Sequence, residues 1–271
     1  MASLAAVPCA SATFTVWSSA WLAGAAAPDD VLDALGPWAR VHEVAAMDAG
    51  TALTHALAPP GATPGSVTFL LAALRRAAPR GACRLVLPAP GDPRGLPGPG
   101  AFSRAAMGAG EGVLVTDAGL GLVPVRLADG VLRWTAYPVV DTGPASEYVG
   151  LPQAERELRD QVRRSASVLT SLGVARHRPG VREEIAATLR ARPRSLWPAG
   201  MPAGALRVLQ QADEVEAILA AASVDEPGGA LSASAAAARR EALRPLQTAV
   251  RVARRAAVAE AVRVLAASPL V

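Results

Sequence analysis

Apolar residues recur along the first half of the chain at two different periods, and the switch between them lays out the elements. Val67, Leu70, Leu71 and Leu74 fall at i, i+3, i+4 and i+7. That spacing predicts a helix started by Ser66, with Arg75 and Arg76 facing water at the negative pole of its dipole. Val31, Leu32 and Leu35, set between Pro28-Asp29-Asp30 and Gly36-Pro37, predict a second, shorter helix with clear start and stop signals. The β-branched and aromatic run Thr13–Trp17 reads as a first strand, followed by a helix over 18–27 in which Trp17 and Trp21 lie one turn apart. Further strands are expected at 41–45, 84–87 and 113–116, and helical segments at 48–57 and 102–107. From Leu122 the period drops to two. Residues 122–127 and 131–137 form a hairpin, with Leu132, Trp134 and Ala136 on one face and Arg133, Thr135 and Tyr137 on the other.

These elements describe an α/β fold, with α+β as the alternative: a mixed sheet flanked by helices, its parallel strands first and a β-meander after them. Residues 141–152 have linker character, and beyond them every pattern is helical. One helix carries Leu158, Val162, Leu169 and Leu172 on one side, a second carries Val181, Ile185 and Leu189, and a third spans 205–222. The last runs over 232–267, entered or kinked at Pro245, with Leu243, Leu246, Val250, Ala253, Ala257, Ala261 and Val264 as its apolar stripe. The chain is therefore divided into a sheet domain at 1–140, a linker at 141–152 and a helical region at 153–271.

Composition narrows the chemistry. All 27 basic residues are arginine, with no lysine and no asparagine, the mark of a high-GC bacterial genome. Without lysine there is no Schiff-base chemistry, no P-loop lysine and no kinase strand lysine. Two cysteines, Cys9 and Cys83, are too few and too far apart for a disulfide scaffold or a zinc site, which points to a reducing cytoplasm. The uncharged leader before Asp29 lacks the basic n-region of a signal peptide, and no run reaches the length of a membrane span. His42, His55 and His177 stand alone, without metal-ligand spacing, and there is neither a GxSxG elbow nor a dinucleotide fingerprint. No metal and no cofactor is expected.

Two stretches remain as candidate sites. The Pro/Gly loop that follows the third strand, within 83–115, carries Asp92 and Arg94 between prolines. Arg104 and Asp117 complete a set suited to an anionic or polar small molecule if they gather beyond the carboxyl ends of the strands. The alternative is a rigid connection in which Asp92 and Arg94 pair with each other. The second candidate is the terminal helix. Residues 1–140 hold nine arginines and nine acids, whereas residues 141–271 hold eighteen against fourteen, so the helical region supplies the whole net charge of +4. Arg240, Arg244, Arg251 and Arg255 align opposite the apolar stripe of the last helix as a basic ridge, able to meet an acidic protein or phosphates, or to stand as a solvated face. Residues 167–185, SVLTSLGVARHRPGVREEI, resemble the helix-turn-helix core of bacterial repressors. Their interval from Gly173 to Val181 exceeds what that motif allows, so an ordinary helical hairpin is the reading carried forward.

The expectation is a cytoplasmic protein, leaning away from an enzyme, whose helical C-terminal part engages a protein partner or a second copy of itself. A small-molecule site at Asp92 and Arg94 is the alternative, nucleic acid on the basic helix the second alternative, and no membrane is expected.

Overall fold

The computed structural model describes residues 9–140, 149–171, 180–191, 197–224 and 233–267. The elements are α1 (Ala10–Leu22), α2 (Pro28–Leu35), β1 (Val41–Ala46), α3 (Ala49–His55), β2 (Gly65–Ser66), α4 (Val67–Ala77), β3 (Arg84–Val86), α5 (Ala101–Ala109), β4 (Gly112–Val115), β5 (Leu120–Ala128), β6 (Val131–Pro138), α6 (Leu151–Ser171), α7 (Val181–Ala191), α8 (Ala203–Val224) and α9 (Ala233–Ala267). The chain has the mixed sheet, flanking helices and helical C-terminal part of the α/β reading. It divides into two compact units, and the division falls within α9. Among the described residues, one unit takes 9–140, 197–202 and 258–267, and the other takes 149–171, 180–191, 203–224 and 233–257.

The six strands of the first unit lie in the order β2-β1-β6-β5-β4-β3. β1 and β6 form the one parallel pair, with Val44 opposite Trp134, and every other pairing is antiparallel. The expectation that parallel strands come first is therefore corrected. β5 turns back into β6 through a connection too short for a parallel crossover, whereas β3 and β4 pair antiparallel although the connection between them contains α5 and is long enough for one. The hairpin itself forms as its alternation requires: Leu132, Trp134 and Ala136 are buried in the larger core with Leu120, Leu122 and Val113. Phe14 meets Trp134 there at 4.9 Å between ring centroids. From α4, Val67, Leu70, Leu71 and Leu74 all enter the same core.

The predicted strand at Thr13–Trp17 is instead the middle of α1, and this is the largest correction. Nearly every residue of α1 is buried, so it carries apolar residues all round and shows no helical stripe. Its polar residues are spent on neighbouring elements. Thr13 Oγ1 accepts from Trp38 Nε1 at 3.0 Å, and Ser19 Oγ accepts from the Cys83 backbone N–H at 2.9 Å. Tertiary partners thus override the β-propensity of Thr, Phe and Val. Arg75 does not simply face water: it stacks on the Trp21 ring at 4.3 Å and donates to the carbonyls of Trp21 (2.9 Å) and Leu22 (3.3 Å). A cation thereby sits on the last carbonyls of α1, where the helix dipole favours it. Arg76 likewise donates to the His55 carbonyl at 3.0 Å.

A smaller core of Val86, Phe102, Ala106, Leu114 and Val123 occupies the other sheet face, under α5. The Phe102 ring lies against Gly112 and Gly121, so close that a Cβ at Gly121 would overlap the ring. Gly121→Ala is expected to lower stability by about 1–3 kcal/mol through overpacking. Combining it with Phe102→Leu should cost less than the sum of the two, a coupling readable by urea denaturation.

In the helical unit, α8 packs against α6 and α7. Arg207 of α8 reaches Glu155 of α6 at 3.2 Å, and Ala154, Val252 and Ala256 form a small core between α6 and α9. α9 runs continuously through Pro245.

Candidate functional site

The loop after β3 is held by its own side chains. Arg94 Nε and Nη2 donate to Asp92 Oδ1 and Oδ2 at 2.6 and 3.0 Å, the bidentate geometry of a guanidinium on a carboxylate. Ala89 and Asp92 exchange backbone hydrogen bonds at 3.0 and 2.7 Å, closing a tight turn around Gly91, whose φ of 80° favours glycine. Arg84 donates to the Gly95 carbonyl at 3.2 Å, and Ser103 Oγ donates to the Gly98 carbonyl. Asp92 and Arg94 thus pair with each other, and the bonds from Arg84 and Ser103 tie the loop to β3 and α5.

The four residues do not gather. Arg104 is exposed on α5. Asp117 follows β4, and because β3 and β4 are antiparallel, with Arg84 opposite Leu114 and Val86 opposite Gly112, the carboxyl termini of the two strands lie at opposite ends of the pair. Asp117 accordingly sits beside Gly81, upstream of β3, with Oδ2 3.2 Å from where a Cβ on that glycine would be. The premise that strand ends collect these side chains on one side requires parallel strands, and β3–β4 are not parallel.

The basic ridge of α9 is also not uniform. Arg244 is exposed and pairs with Glu241 at 3.5 Å. Arg251 is half-buried and donates to Thr248 Oγ1 at 2.9 Å, and the Nε atoms of both Arg251 and Arg255 are buried. The side chain of Arg240 lies outside the described residues, as does the Gly173–Pro179 part of the helix-turn-helix resemblance. Among the described arginines of α9, the one buried against carboxylates of a neighbouring helix is one the ridge omits. Arg254, only 7% exposed, donates to Asp213 Oδ1 at 2.5 Å and Glu216 Oε2 at 2.8 Å on α8. Asp213 and Glu216 are three apart, so both carboxylates project from one face of α8 toward α9. A helical wheel of α9 alone carries no sign of this, although a pair of acids at helical spacing on α8 is visible in the sequence.

Two further polar placements escaped the sequence reading. Glu111, within the MGAGEG run, is buried and accepts the Ser11 N–H at 2.8 Å, placing a carboxylate on the first turn of α1. His42 is sandwiched between Trp134 Nε1, which donates to its Nδ1 at 3.1 Å, and the Leu35 carbonyl, 2.9 Å from its Nε2. The indole N–H fixes Nδ1 as the acceptor, so the ring is neutral with its proton on Nε2, donated to Leu35. Burial holds the His42 pKa below 6.5, the Arg126 charge adds to this, and bonds to the Leu35 and Ala39 backbone oppose it. Burial and then the Arg76 charge lower His55 similarly.

Because both folded pKa values lie below the unfolded value of 6.5, the unfolded chain takes up more protons as the medium is acidified. The stability contributed by the neutral rings is complete above that value and is lost as pH falls from it toward the folded pKa. Melting temperature is expected to fall between about pH 7 and about pH 5, and His42→Gln should flatten that slope. The Cys83 thiol is buried and its pKa is pushed up to about 12, which removes it as a nucleophile. Among the described residues, no three His, Cys, Asp or Glu side chains stand together as a metal would require, and no helix is long and apolar enough to cross a membrane.

The Rv1486c-like protein family matches in both of its parts, the N-terminal domain over residues 11–148 and the C-terminal domain over 152–255. The chain belongs to this family. It is 38% identical to the uncharacterized protein Rv1486c of Mycobacterium tuberculosis over 281 residues, covering 92% of this chain and 96% of that one. To the uncharacterized protein ML1804 of Mycobacterium leprae it is 33% identical over 287 residues, with the same shares covered. No solved structure matches it. Along the sequence, the boundary between the two family domains falls between residues 148 and 152.

Proposed function

We propose that this member of the Rv1486c-like family is a non-enzymatic interaction or regulatory protein of the cytoplasm, and that its helical part, beyond a linker at 141–152, binds a protein partner. The observation that carries the reading is the surface of α8. This helix buries Ala205, Val208, Leu209, Ala212 and Val215, yet leaves Leu206 and Ile218 at 37% and 51% exposed. An apolar helix with large aliphatic side chains still in water has surface to spend on another protein. The excess of arginine in the same region favours an acidic partner. Support for a reducing compartment comes from Cys9 and Cys83, which are both buried and form no disulfide with each other.

A photo-crosslinking residue placed at position 218 of the full chain, expressed in its own host, tests this. A discrete protein adduct that is lost when Leu206→Asp is added is the expected result. Absence of any adduct, or one indifferent to Leu206→Asp, overturns the reading.

A further inference from the structure

The second face of the sheet is only half covered. Side chains alternate across the strands, and Val44, Ala46, Leu132, Trp134 and Ala136 enter the larger core. Val41, Glu43 and Ala45 of β1, and Val131, Arg133 and Thr135 of β6, therefore point to the opposite side, together with Val123 and Val125 of β5. The pairing sets them in rows: Val125, Arg133 and Glu43 side by side, with Val123, Thr135 and Ala45 on one flank and Val131 and Val41 on the other. The irregularity between Arg126 and Ala128 adds Leu127 next to Val131. Helix α5 covers Val123 through Phe102 and Ala106, and its cover ends there.

Beyond it Val41, Val125 and Leu127 are 49%, 45% and 49% exposed. Arg133, on a strand with neighbours on both sides, keeps a side chain 37% exposed. A sheet face built for water replaces its outward positions with polar residues, whereas here three of the uncovered ones are Val, Val and Leu.

The charge at the centre of this patch selects the occupant. Arg133 donates to Glu43 Oε2 through Nε at 3.0 Å and Nη2 at 2.7 Å, so the patch is one cation beside one anion within an aliphatic surround. A nucleic acid or a strongly charged peptide would meet as much repulsion as attraction. The same patch turned about a two-fold axis meets itself with carboxylate over guanidinium and aliphatic over aliphatic, the self-complementarity an isologous interface requires. We propose that the chain forms a homodimer by stacking this uncovered half of the sheet, through Val41, Val125, Leu127, Glu43 and Arg133, on the same face of a second copy. The geometry is that of two sheets packed face to face around one apolar layer.

Sedimentation equilibrium of the full chain tests this, with melting temperature recorded for every variant. Wild type is expected at twice the chain mass, and Val125→Asp at the chain mass with the melting temperature of wild type diluted until it is monomeric, since the side chain is exposed in the single copy. Glu43→Arg and Arg133→Glu should each be monomeric alone. Mixed together they should recover a dimer containing one chain of each, because two arginines then face two glutamates. A wild-type monomer throughout the concentration range overturns the proposal, as does a dimer that survives Val125→Asp. A dimer lost on Ile218→Asp but kept in Val125→Asp also overturns it, while leaving the reading of α8 in place.

Discussion

Replacing Asp213 and Glu216 together by alanine is expected to destabilise the helical unit by about 3–5 kcal/mol, and to do so more than Arg254→Met. The asymmetry follows from which charge is buried. Arg254 is 7% exposed, whereas Asp213 and Glu216 keep 43% and 21% of their side chains in water. Arginine cannot shed its proton, so removing both acids strands a permanent charge inside the α8–α9 contact. Removing Arg254 instead leaves two carboxylates that can hydrate, and methionine replaces most of the apolar stem, which limits the loss to about 1–3 kcal/mol. The partial exposure of the acids is the reason for discounting that side of the pair. The triple variant, with all three charges gone, should lie closer to wild type than the double-acid variant, because an apolar contact tolerates the loss of a whole ionic cluster better than half of one. Urea unfolding followed by far-ultraviolet circular dichroism measures all three, read on the transition of the helical unit, since a chain of two units need not unfold in one step. If Arg254→Met proves the most damaging of the three, the burial argument is wrong.

That cluster also shows where sequence reading stops. The periodicity of α2, α4 and β6 is legible because each element has one face in the core and the other more exposed, and the alternation of residue types records the difference. α1 has no such contrast: Phe14 enters the core while Thr13, Thr15, Ser18 and Ser19 are buried as well, so the local string Thr-Phe-Thr-Val-Trp passes for a strand. Strand direction was equally hidden. Residues 84–87 and 113–116 look the same whether they pair parallel or antiparallel, and only the pairing decides that Asp92 and Asp117 follow opposite ends of the strand pair. The basic ridge on α9 was legible as a row of charges. Which of those charges α8 buries depends on the rotation of one helix against another, and no single helix encodes it.

The capping of α1 by Glu111 carries the second large expectation: Glu111→Ala should destabilise the sheet unit by about 2–3 kcal/mol, and Glu111→Gln by roughly half as much. The first four N–H groups of any helix have no partner within it, and at an exposed terminus water supplies one. Ser11 lies at the start of a helix that is buried along almost its whole length, so its N–H has no such recourse and relies on a carboxylate 100 residues later in the chain. Alanine leaves that donor unsatisfied and removes the negative charge from the positive pole of the dipole. Glutamine retains an oxygen to accept the bond while losing the charge and exchanging the second oxygen for an amide donor, so the gap between the two variants measures what the retained acceptor contributes. The consequences reach beyond one hydrogen bond. Ser19, near the far end of α1, anchors the Cys83 N–H just before β3, and Glu111 immediately precedes β4, so α1 is tied at one end to each of two paired strands. Loosening the Glu111 tie should raise hydrogen exchange along the first turn of α1 before it does so at the Ser19 end. Uniform exchange along α1 in Glu111→Ala, with no loss of stability, would show that the carboxylate is not what holds the helix in place.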